Sequence, residues 1–591
     1  MDIFSREYGD YYFSRENGLE ETKYVFLGGN NLPQAWAGHS RFAIAETGFG
    51  TGMNFLCAWE LFDKTAAPGQ SLHYIGVEKH PLDRDLLKRF LRPIFGTRAD
   101  EFLAEYPWPT PGYHRLQLSQ NVTLTLIFDD VKDAFHLFDG EVDCWFLDGF
   151  VPSGNPDMWT DTLFAHMARL SLKGTSFATF TAAGFVRRGL AKAGFEVERV
   201  KGYGRKREML AGRFSGGRDK TSHAAAGSVA IIGGGLAGAA AAYALACRGY
   251  HPTLYEQEDH LAAGASGNSV GLFNPRPFAM RHPRGEYHTA GMELIARTAS
   301  QLSRSHDIDF RLGGCLHLTT GRKKEDRHEK AEIGMGWPGS LLHNVTAAEA
   351  SMIAGIPIAF PCLYSPLGGA VSPPKLIQAY TADTHIQLNS NITSLKKCDQ
   401  GWALIGQNGD MLDRAEIVIT TRPVEIEGHN VPYQSMIRPV RGQITEMLAD
   451  KPLSNLRCNI AHGGYLARAR DRTMIMGATF QRGEHDDANR PEDDYRNYYQ
   501  MREALPALKV LPRFTYRRAA VRLTTADHMP LVGRLADNVY ISGGWGSHGL
   551  LGTILGGHML ADMLDGTPLP VPRHVRAALD PARFFHDNIS D

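Results

Sequence analysis

Two glycine-rich turns, each between an apolar run and a helix-like segment, constrain the fold of this chain most strongly. The first is ETGFGTG, residues 46–52, and the second is IIGGGLAG, residues 231–238. Glycine at such a turn lets the backbone approach a nucleotide at a helix N-terminus. Because 591 residues exceed one ordinary core, two different turns predict two nucleotide-binding units.

The second turn has the complete dinucleotide-binding pattern. Gly233, Gly235 and Gly238 follow an apolar strand and precede an alanine-rich helix. Glu256 ends the next predicted strand, where a carboxylate can accept hydrogen bonds from both ribose hydroxyls. The surrounding stretch, 227–247, is uncharged and long enough to cross a bilayer, but its glycine turn favours strand, turn and helix.

The residues that follow favour FAD over NAD. Ser266, Gly267 and Asn268 supply small side chains and backbone amides, suited to a dinucleotide that stays bound. A later glycine turn, with Gly546 and Gly549, precedes a helix whose N-terminus would stabilise negative charge on a reduced flavin. Over about 228–565, these features resemble the D-amino-acid oxidase and glycine oxidase family of flavoproteins.

That resemblance implies two substrate-binding residues. Arg522, in VRLTTADHMPLVG, matches the arginine that binds the substrate carboxylate, and Tyr465, in GGYLARA, matches an assisting tyrosine. An arginine fork suits a carboxylate because it donates two parallel hydrogen bonds. Some relatives attach flavin through a cysteine near the C-terminus, but no cysteine follows Cys458, so we expect non-covalent FAD.

The first turn is built for a different ligand. Its glycines, Gly48, Gly50 and Gly52, lack the third dinucleotide spacing, and an acid precedes them. S-adenosylmethionine (SAM) has no phosphate to bind, but its amino group and ribose both suit carboxylates. We predict that Glu46 binds the amino group, Glu78 the ribose and Asp130 the adenine amine. This order of strand ends resembles class I SAM-dependent methyltransferases.

The fourth strand end, WFLDGFVPSGNPDMW, residues 145–159, carries a candidate catalytic acid. Amine methyltransferases often place a short polar segment with proline here. The amine must arrive unprotonated and in line with the methyl group, so Asp148 could orient it or take its proton. The alternative for Asp148 is a loop-capping aspartate.

The order of apolar runs predicts an α/β chain with two main domains. Strands and helices alternate over 41–213, which predicts a parallel sheet covered by helices, with an antiparallel pair added at its edge. We predict a class I SAM-methyltransferase Rossmann-like domain at 1–213, a linker at 214–226 and an FAD-dependent oxidoreductase domain at 227–591. Within the last, FAD-binding parts at about 227–290 and 515–565 enclose an α+β substrate part.

The net charge of −1 gives no sign of a polyanionic partner, so any such sign is local. Residues 201–220 hold seven Lys and Arg against two acids, and nearby residues extend the basic segment. The predicted RNA-binding residues are Arg187, Arg188, Arg205, Lys206 and Arg207, although a solvated basic face is the alternative. The seven cysteines form no C-x-x-C pair, and the N-terminal residues lack an apolar run, so we expect a cytoplasmic protein without metal or membrane anchor.

A methyltransferase followed by an amine oxidase resembles the family of bifunctional enzymes that make 5-methylaminomethyl-2-thiouridine in tRNA. The resemblance rests on ETGFGTGMNFL, WFLDGFVPSGNPDMW, TFTAAGFVRRGL and GYGRKREML, among other stretches. It implies that the oxidase removes the carboxymethyl group from a carboxymethylaminomethyl wobble uridine, releasing glyoxylate, and that the methyltransferase then methylates the freed amine. Two alternatives remain: a fused oxidase and N-methyltransferase for sarcosine-like metabolites, and a first domain that only docks tRNA.

Overall fold

The computed structural model describes residues 4–5, 8–12, 17–220, 227–469 and 472–585. The chain divides into two compact units, one comprising Met1–Ala224 with Asp562–His574 and the other Ala225–Ala561 with Val575–Asp591. Each unit is described by itself below.

The first unit is built on strands and helices that alternate along the chain. Its strands are β1 Phe4–Ser5, β2 Asp10–Tyr11, β3 Arg41–Glu46, β4 Ser71–Val77, β5 Gly112–Ser119, β6 Val122–Phe128, β7 Val142–Phe146, β8 Ser171–Thr179, β9 Phe195–Lys201 and β10 Glu208–Phe214. Its α-helices are α1 Gly18–Thr22, α2 Met53–Thr65, α3 Arg84–Phe95, α4 Thr97–Glu105, α5 Val131–Leu137, α6 Asp161–Leu170 and α7 Gly184–Lys192. A π-helix at Lys23–Gly28 continues α1, and short 3-10 turns lie at Gln34–Trp36 and Pro156–Met158.

Eight of these strands form one sheet in the order β5-β6-β4-β3-β7-β8-β10-β9. The five strands β6, β4, β3, β7 and β8 run parallel, which confirms the predicted parallel sheet. β10 pairs antiparallel with β8 and β9, which confirms the predicted antiparallel addition at the edge. The antiparallel strand β5 at the other edge is not predicted by the sequence.

Helices cover both faces of this sheet. Ile44 of β3 belongs to one hydrophobic cluster, whereas its neighbours Ala43 and Ala45 belong to another. Because successive strand residues point to opposite faces, the two clusters lie on opposite sides of the sheet. This burial on both faces explains why β4 and β6 read as nearly continuous apolar runs.

Residues 215–220, assigned by the sequence to the linker, pack on the first unit. Lys220 Nζ lies 2.7 Å from Asp143 Oδ1 and donates to the Arg41 carbonyl at 2.9 Å. Arg218 contacts Glu141. The rest of the predicted linker, 221–226, lies outside the described residues.

The second unit is mixed α+β. Its strands are β11 Val229–Ile232, β12 Thr253–Tyr255, β13 Gly271–Phe273, β14 Arg311–Leu312, β15 Cys315–Leu318, β16 His343–Val345, β17 Cys362–Ser365, β18 Gly369–Val371, β19 His385–Gln387, β20 Ile392–Cys398, β21 Gly401–Gly406, β22 Met411–Ala415, β23 Ile417–Thr420, β24 Glu425–Ile426, β25 Ile437–Leu448, β26 Asn459–Ala461, β27 Tyr465–Arg468, β28 Thr473–Gly477, β29 Gln481–Arg482, β30 Phe514–Thr525, β31 Leu531–Ala536 and β32 Val539–Gly543. Its α-helices are α8 Leu236–Ala246, α9 Pro283–Leu302, α10 Arg322–Gly334, α11 Ala347–Ala354, α12 Pro373–Tyr380, α13 Tyr433–Met436, α14 Pro491–Ala504, α15 Gly549–Asp565 and α16 Arg573–Leu579, the last two crossing the division between the units.

Two sheets organise this unit. A six-stranded sheet in the order β19-β12-β11-β23-β32-β31 carries the dinucleotide turn after β11. A nine-stranded sheet, centred on β25 paired with β28 and β30, carries Arg522 and Tyr465. β19 and β23 also belong to the six-stranded sheet, although the sequence analysis assigns their residues to the substrate part. The sequence could not reveal this, because a short apolar run does not indicate which sheet it joins.

The uncharged stretch 227–247 forms β11, a glycine turn and the eleven-residue helix α8. The predicted strand, turn and helix are therefore confirmed. Among the described residues, every helix falls short of the length and apolarity needed to cross a membrane.

Candidate active sites

A cavity of about 710 Å³ opens in the first unit at the carboxyl ends of β3, β4, β6 and β7. Parallel strands end at the same edge of a sheet, which brings sequence-distant loops together there. Of the predicted methyltransferase residues, five line this cavity: Gly48, Gly50, Glu78, Asp130 and Asp148.

The glycine turn requires its glycines. Gly50 and Gly52 have φ of +53° and +80°, in the left-handed region, and Gly52 caps α2. A Cβ on Gly48 would lie 2.9 Å from the Asp148 carbonyl oxygen. Thr47 Oγ1 also donates to that oxygen at 2.7 Å, so the turn packs directly against the loop that carries Asp148.

Asn54, at the start of α2, connects two buried carboxylates. Its Nδ2 donates to Glu46 Oε1 at 2.5 Å and to Asp148 Oδ2 at 2.7 Å. Thr22 Oγ1 donates to Asn54 Oδ1 at 2.8 Å, which fixes the orientation of the amide. Tyr74 donates its hydroxyl to Glu46 Oε2 at 2.8 Å. Glu46 is fully buried and does not line the cavity, so the side chain predicted to bind the SAM amino group lies behind Asn54.

Burial raises the pKa values of both acids, Asp148 and Glu46. It raises the pKa of Asp148 to about 6, while hydrogen bonds from Gly149 N and Asn54 oppose the increase. Burial and then the charge of Asp148 raise the pKa of Glu46 well above its usual range. Near neutral pH, Asp148 is therefore mostly ionised, whereas burial and the charge of Asp148 both favour the protonated form of Glu46.

Glu78 and Asp130 line the cavity next to the glycine turn. Glu78 accepts hydrogen bonds from Gly50 N and from His80 N, both at 2.8 Å. Burial raises the pKa of Glu78, although those two bonds favour its charged form. Asp130 caps α5 and lies 3.3 Å from Lys79 Nζ. The cavity wall thus has carboxylates at the ends of β4, β6 and β7, an arrangement that suits a phosphate-free, cationic ligand.

Two of the five predicted RNA-binding residues line the same cavity. These are Arg205 and Lys206; Lys206 Nζ lies 2.8 Å from Glu21 Oε1 and 4.6 Å from the Phe180 ring centre. Arg187 and Arg188 on α7, and Arg207, are exposed and lie outside the cavity lining.

Sequence reasoning missed the aromatic side of the cavity. Tyr8 and Phe150 stack with ring centres 4.6 Å apart, and Tyr12 meets Phe150 edge-on at 5.1 Å. All three line the cavity. Flat rings at this position can sandwich a base or nucleoside. The available signal in the sequence was the group of tyrosines at positions 8, 11 and 12, ahead of β3.

The dinucleotide turn of the second unit brings its predicted residues together. Gly233 has φ of +115°, and a Cβ on Gly238 would lie 1.9 Å from the Gly233 carbonyl oxygen. Gly235 caps α8, so backbone N–H groups point out of the turn. Glu256 follows β12 and accepts a hydrogen bond from Gly234 N at 2.6 Å. These residues fit a dinucleotide, because the glycines leave room for the ligand to approach the backbone of the turn.

The segment with Ser266, Gly267 and Asn268 closes over that turn. Ser266 Oγ accepts a hydrogen bond from Leu236 N at 3.0 Å. Arg518 donates to the carbonyls of Ala263 and Gly264 at 2.7 and 2.6 Å, and its Nη1 lies 3.4 Å from Asn268 Oδ1. A Cβ on Gly267 would lie 2.6 Å from the Ala262 carbonyl oxygen, a backbone atom, so glycine is required there.

Arg522 and Tyr465 lie close enough for the Arg522 charge to lower the pKa of Tyr465. Burial outweighs that effect and raises the pKa of Tyr465 to about 12, so the phenol is neutral. Among the described residues, the Arg522 guanidinium has no hydrogen-bond or ion-pair partner, and burial lowers its pKa. A Cβ on Gly442 would lie 2.3 Å from Arg522 Nη2, so Gly442 leaves room for the guanidinium.

The late glycine turn lies beside Arg522. Gly546 has φ of +54° and its N donates to the Leu523 carbonyl at 2.8 Å. Gly549 begins α15, a helix of 17 residues. The predicted FAD residues thus occupy the turn after β11, the segment following β12, and the N-terminal end of α15.

Comparisons with known proteins assign a family to each region. Residues 228–563, more than half of the chain, match the FAD dependent oxidoreductase family, and residues 95–215 match an S-adenosyl-L-methionine-dependent methyltransferase family. Both cofactor classes predicted from the glycine turns are confirmed. Within the described residues, no group of three or more His, Cys, Asp or Glu side chains could hold a metal ion.

Full-length relatives combine both regions. The chain is 38% identical to the tRNA 5-methylaminomethyl-2-thiouridine biosynthesis bifunctional protein MnmC of Ectopseudomonas mendocina, covering 98% of this chain and 95% of that protein. It is 36% identical to the protein of the same name from Methylobacillus flagellatus, covering 98% and 94%.

Solved structures resemble the oxidoreductase region in fold. Iminodiacetate oxidase from Chelativorans sp. BNC1 is 20% identical with a TM-score of 0.51, covering 58% of this chain and 97% of that chain. Glycine oxidase from Bacillus cereus ATCC 14579 is 20% identical with a TM-score of 0.50, covering 57% and 95%. At this identity the likeness establishes the fold alone.

Proposed function

The chain belongs to the family of tRNA 5-methylaminomethyl-2-thiouridine biosynthesis bifunctional proteins MnmC, and from that premise we propose how its residues divide two reactions. The second unit removes the carboxymethyl group from a 5-carboxymethylaminomethyl(-2-thio)uridine at the tRNA wobble position. The first unit methylates the aminomethyl group that remains. The single observation that carries this division is the contrast between an acidic cavity in one unit and, in the other, the Arg522 guanidinium, which has no ion-pair partner in the described part of the chain.

In the first unit we assign Asp148 as the base that orients and deprotonates the amine. SAM supplies the methyl group. Asp148 lines the cavity beside the glycine turn, and its pKa of about 6 leaves it ionised at neutral pH but still able to accept a proton. The amine can attack only when its lone pair is free, so a positioned carboxylate promotes the transfer. Gly48, Gly50, Gly52, Glu78 and Asp130 would hold SAM.

Asn54 and Glu46 act through Asp148. Asn54 Nδ2 donates to Asp148 Oδ2 and Gly149 N donates to Asp148 Oδ1, which fixes the carboxylate, and each oxygen keeps a second lone pair for the amine. Glu46 anchors Asn54 from behind by accepting a hydrogen bond from Asn54 Nδ2. Thr22 sets which end of the amide faces the carboxylates. We therefore assign Asn54 and Glu46 as positioning residues.

In the second unit we assign Arg522 to the substrate carboxylate and Tyr465 as a neutral hydrogen-bond donor beside it. A half-buried guanidinium that has no partner among the described residues has its donors free for an anionic ligand. Tyr465 stays protonated because its pKa is about 12. Non-covalent FAD supplies the two-electron acceptor for oxidation of the carbon beside the nitrogen. Its proposed binding residues are Gly233, Gly235, Gly238, Glu256, Ser266, Gly267, Asn268, Gly546 and Gly549.

The partner of both units is proposed to be tRNA, with Arg187, Arg188, Arg205, Lys206 and Arg207 contacting its phosphates near the methyltransferase cavity. Such a substrate places the protein in the cytoplasm. The alternative, a fused oxidase and methyltransferase for sarcosine-like metabolites, needs no basic surface. It predicts good turnover of free N-alkyl glycines and little dependence on salt, whereas phosphate contacts make tRNA binding steeply salt-dependent.

The decisive experiment incubates the purified protein with hypomodified tRNA, with and without SAM, and measures nucleoside masses. We expect loss of the carboxymethyl group without SAM and gain of one methyl group with it. Charge reversal at Arg205, Lys206 and Arg207 should weaken tRNA methylation while SAM binding is retained. Turnover of free N-alkyl glycines without turnover of tRNA would replace this proposal by the metabolite alternative.

A further inference from the structure

The cavity of the first unit has an aromatic cluster, Tyr8, Tyr12 and Phe150, to which the roles proposed for the carboxylates give no part. The Tyr8 and Phe150 rings are stacked at 21° with their centres 4.6 Å apart, and Tyr12 meets Phe150 edge-on. All three side chains line the cavity and are partly exposed. Rings that only fill a core are buried, so partly exposed rings in a cavity are available to a flat ligand.

Phe150 lies on the same loop as Asp148, and that loop is held from behind. Trp159 Nε1 donates to the Phe150 carbonyl at 3.3 Å. Gly149 has φ of +151°, and a Cβ on it would lie 2.3 Å from Met158 Sδ, so the backbone packs closely there. The position of the Phe150 ring relative to Asp148 is therefore set by the fold.

Tyr8 and Tyr12 reach the cavity from the N-terminal hairpin of β1 and β2. Tyr8 lies between these two strands in sequence. Its ring stacks on Phe150, and its hydroxyl oxygen lies 3.4 Å from His80 Nε2, in the loop after β4. A Cβ on Gly50 would lie 3.2 Å from Tyr12 Cδ1, so Tyr12 lies against the glycine turn. The hairpin thus supports Phe150 from the side of the cavity opposite to Trp159.

The strand order separates Phe150 from the carboxylates proposed to hold SAM. In the order β6-β4-β3-β7, the ends of β4 and β6, with Glu78 and Asp130, lie on one side of the glycine turn that follows β3. The loop after β7, with Asp148 and Phe150, lies on the other side. The amine to be methylated has to reach Asp148, so Phe150 is on the amine side of the cavity.

The chemistry of the proposed substrate requires a flat surface at this place. A single methylene group joins the amine nitrogen of an aminomethyluridine to its pyrimidine ring, so the ring must lie beside Asp148 when the nitrogen does. Phe180 also lines the cavity, but Lys206 Nζ lies over its ring at 4.6 Å from the centre. Phe150 and Tyr8 offer the alternative surface, and unstacked RNA bases commonly stack on such rings.

We propose that the Phe150–Tyr8 pair stacks against the pyrimidine ring of the wobble nucleotide and so holds its aminomethyl nitrogen at Asp148. An enzyme that acts on a base in folded RNA takes that base out of its stack, and aromatic side chains replace the lost neighbours. Phe150 and Tyr8 are then binding residues for the base, distinct from the groups that bind SAM. This inference rests on the proposed function, since it requires that the first unit methylates an RNA nucleotide.

The test compares Phe150→Leu and Tyr8→Leu with a matched control, Phe185→Leu, at an exposed position on α7 outside the cavity lining. Leucine keeps an apolar side chain and removes the flat face. Affinity is measured for two synthetic forms of the tRNA, one with aminomethyluridine and one with an abasic site at the wobble position. We expect the wild-type protein to bind the first form about tenfold more tightly, as stacking of one base predicts.

Phe150→Leu should lose most of that difference while it binds the abasic form like the wild-type protein, and Tyr8→Leu should act in the same direction. Because the base is held less well, KM for methylation of aminomethyl-tRNA should rise about tenfold in Phe150→Leu. SAM affinity, measured by calorimetry, should be unchanged. Phe150→Tyr keeps the flat ring and should behave like the wild-type protein.

Every other outcome contradicts the assignment. Equal binding of the two tRNA forms by the wild-type protein, or equal losses for both forms in Phe150→Leu, would show that the rings do not contact the base. A weaker SAM affinity in Phe150→Leu would assign the rings to SAM, and the same effects in Phe185→Leu would make them non-specific. If the wild-type protein did not methylate aminomethyl-tRNA, the proposed function would fail instead, and that result precedes any variant.

Discussion

The two active sites share one local architecture and have opposite charge. Each begins with an apolar strand, β3 or β11, followed by a glycine turn and a helix. Around the first turn, Asp148, Glu78 and Asp130 line the cavity. At the second site, the Arg522 guanidinium has no acidic partner among the residues that the structure describes, and Tyr465 beside it is neutral. The backbone geometry therefore indicates only that a nucleotide-like ligand binds. The charged side chains at the neighbouring strand ends indicate which ligand it is.

The largest expected effect comes from replacing Asp148, which should impair one activity and leave the other intact. Asp148→Asn keeps the size of the side chain but removes the base, so methyl transfer should fall about 10²- to 10⁴-fold. Carboxymethyl removal should be unchanged, because Asp148 belongs to the other unit. Both rates are measured on the same tRNA preparation.

Asp133→Asn, an exposed aspartate on α5 outside the cavity lining, is the control. Full methyl transfer by Asp148→Asn would mean that another group takes the proton or that the first unit only docks tRNA.

Removing Arg522 should have the converse effect. Arg522→Met leaves the substrate carboxylate without its charged partner, which costs about 3 kcal/mol, on the order of a hundredfold in kcat/KM of oxidation. Methyl transfer to aminomethyl-tRNA should be unaffected. The visible spectrum of bound flavin checks that FAD is retained.

Arg438→Met on the neighbouring strand β25 is the matched control, because Arg438 is exposed in the same sheet. If Arg522→Met oxidised its substrate at the wild-type rate, the carboxylate would have to be bound elsewhere.

The pH dependence should also distinguish the sites. The pKa of Asp148 is raised to about 6, and the base works only when ionised, so methyl transfer should fall about tenfold per pH unit below pH 6. Oxidation should show no such limb from Tyr465, whose pKa is about 12, or from His288, whose pKa burial lowers to about 3. Single-turnover rates with prebound tRNA measure both profiles. A methylation profile flat down to pH 5 would contradict the assignment of Asp148.

The smallest predicted effect concerns Tyr465. Tyr465→Phe removes one neutral hydrogen bond to the substrate, worth about 1 kcal/mol, so kcat/KM of oxidation should fall about fivefold. Because the phenol is neutral at all working pH values, the loss should be the same at pH 6 and pH 8. A loss that changed with pH would show that Tyr465 takes part in proton transfer.

The sequence predicts those parts of the sites that depend on neighbours along the chain. Glycine turns and the acids that end apolar strands are local patterns, so Gly50, Glu78, Gly233 and Glu256 could be identified directly. Asn54 was missed because an asparagine at the start of a helix is ordinary in sequence. Its two carboxylate partners become apparent only when β3 and β7 lie side by side.

The features that the sequence does not predict depend on tertiary structure. The contact between Arg276 and His548 joins the segment after β13 to the turn before α15, and no spacing rule connects such distant segments. Similarly, β5 joins the first sheet as an antiparallel edge because β6 offers it an open edge. The burial of Glu46 behind Asn54 also depends on packing, since the strand-end position alone suggests contact with the ligand.

Strand β30 carries Arg518 and Arg522 four residues apart, on the same face and about 13 Å from each other. Arg518 donates hydrogen bonds to the carbonyls of Ala263 and Gly264, beside the proposed FAD-binding segment, and Arg522 is the residue proposed to bind the substrate carboxylate. The single strand β30 thus connects the proposed flavin and substrate sites. A change in the order of the loop at Arg518 should therefore alter the position of Arg522. Protein stripped of flavin should for this reason hold carboxylate inhibitors more weakly than the yellow holoenzyme does.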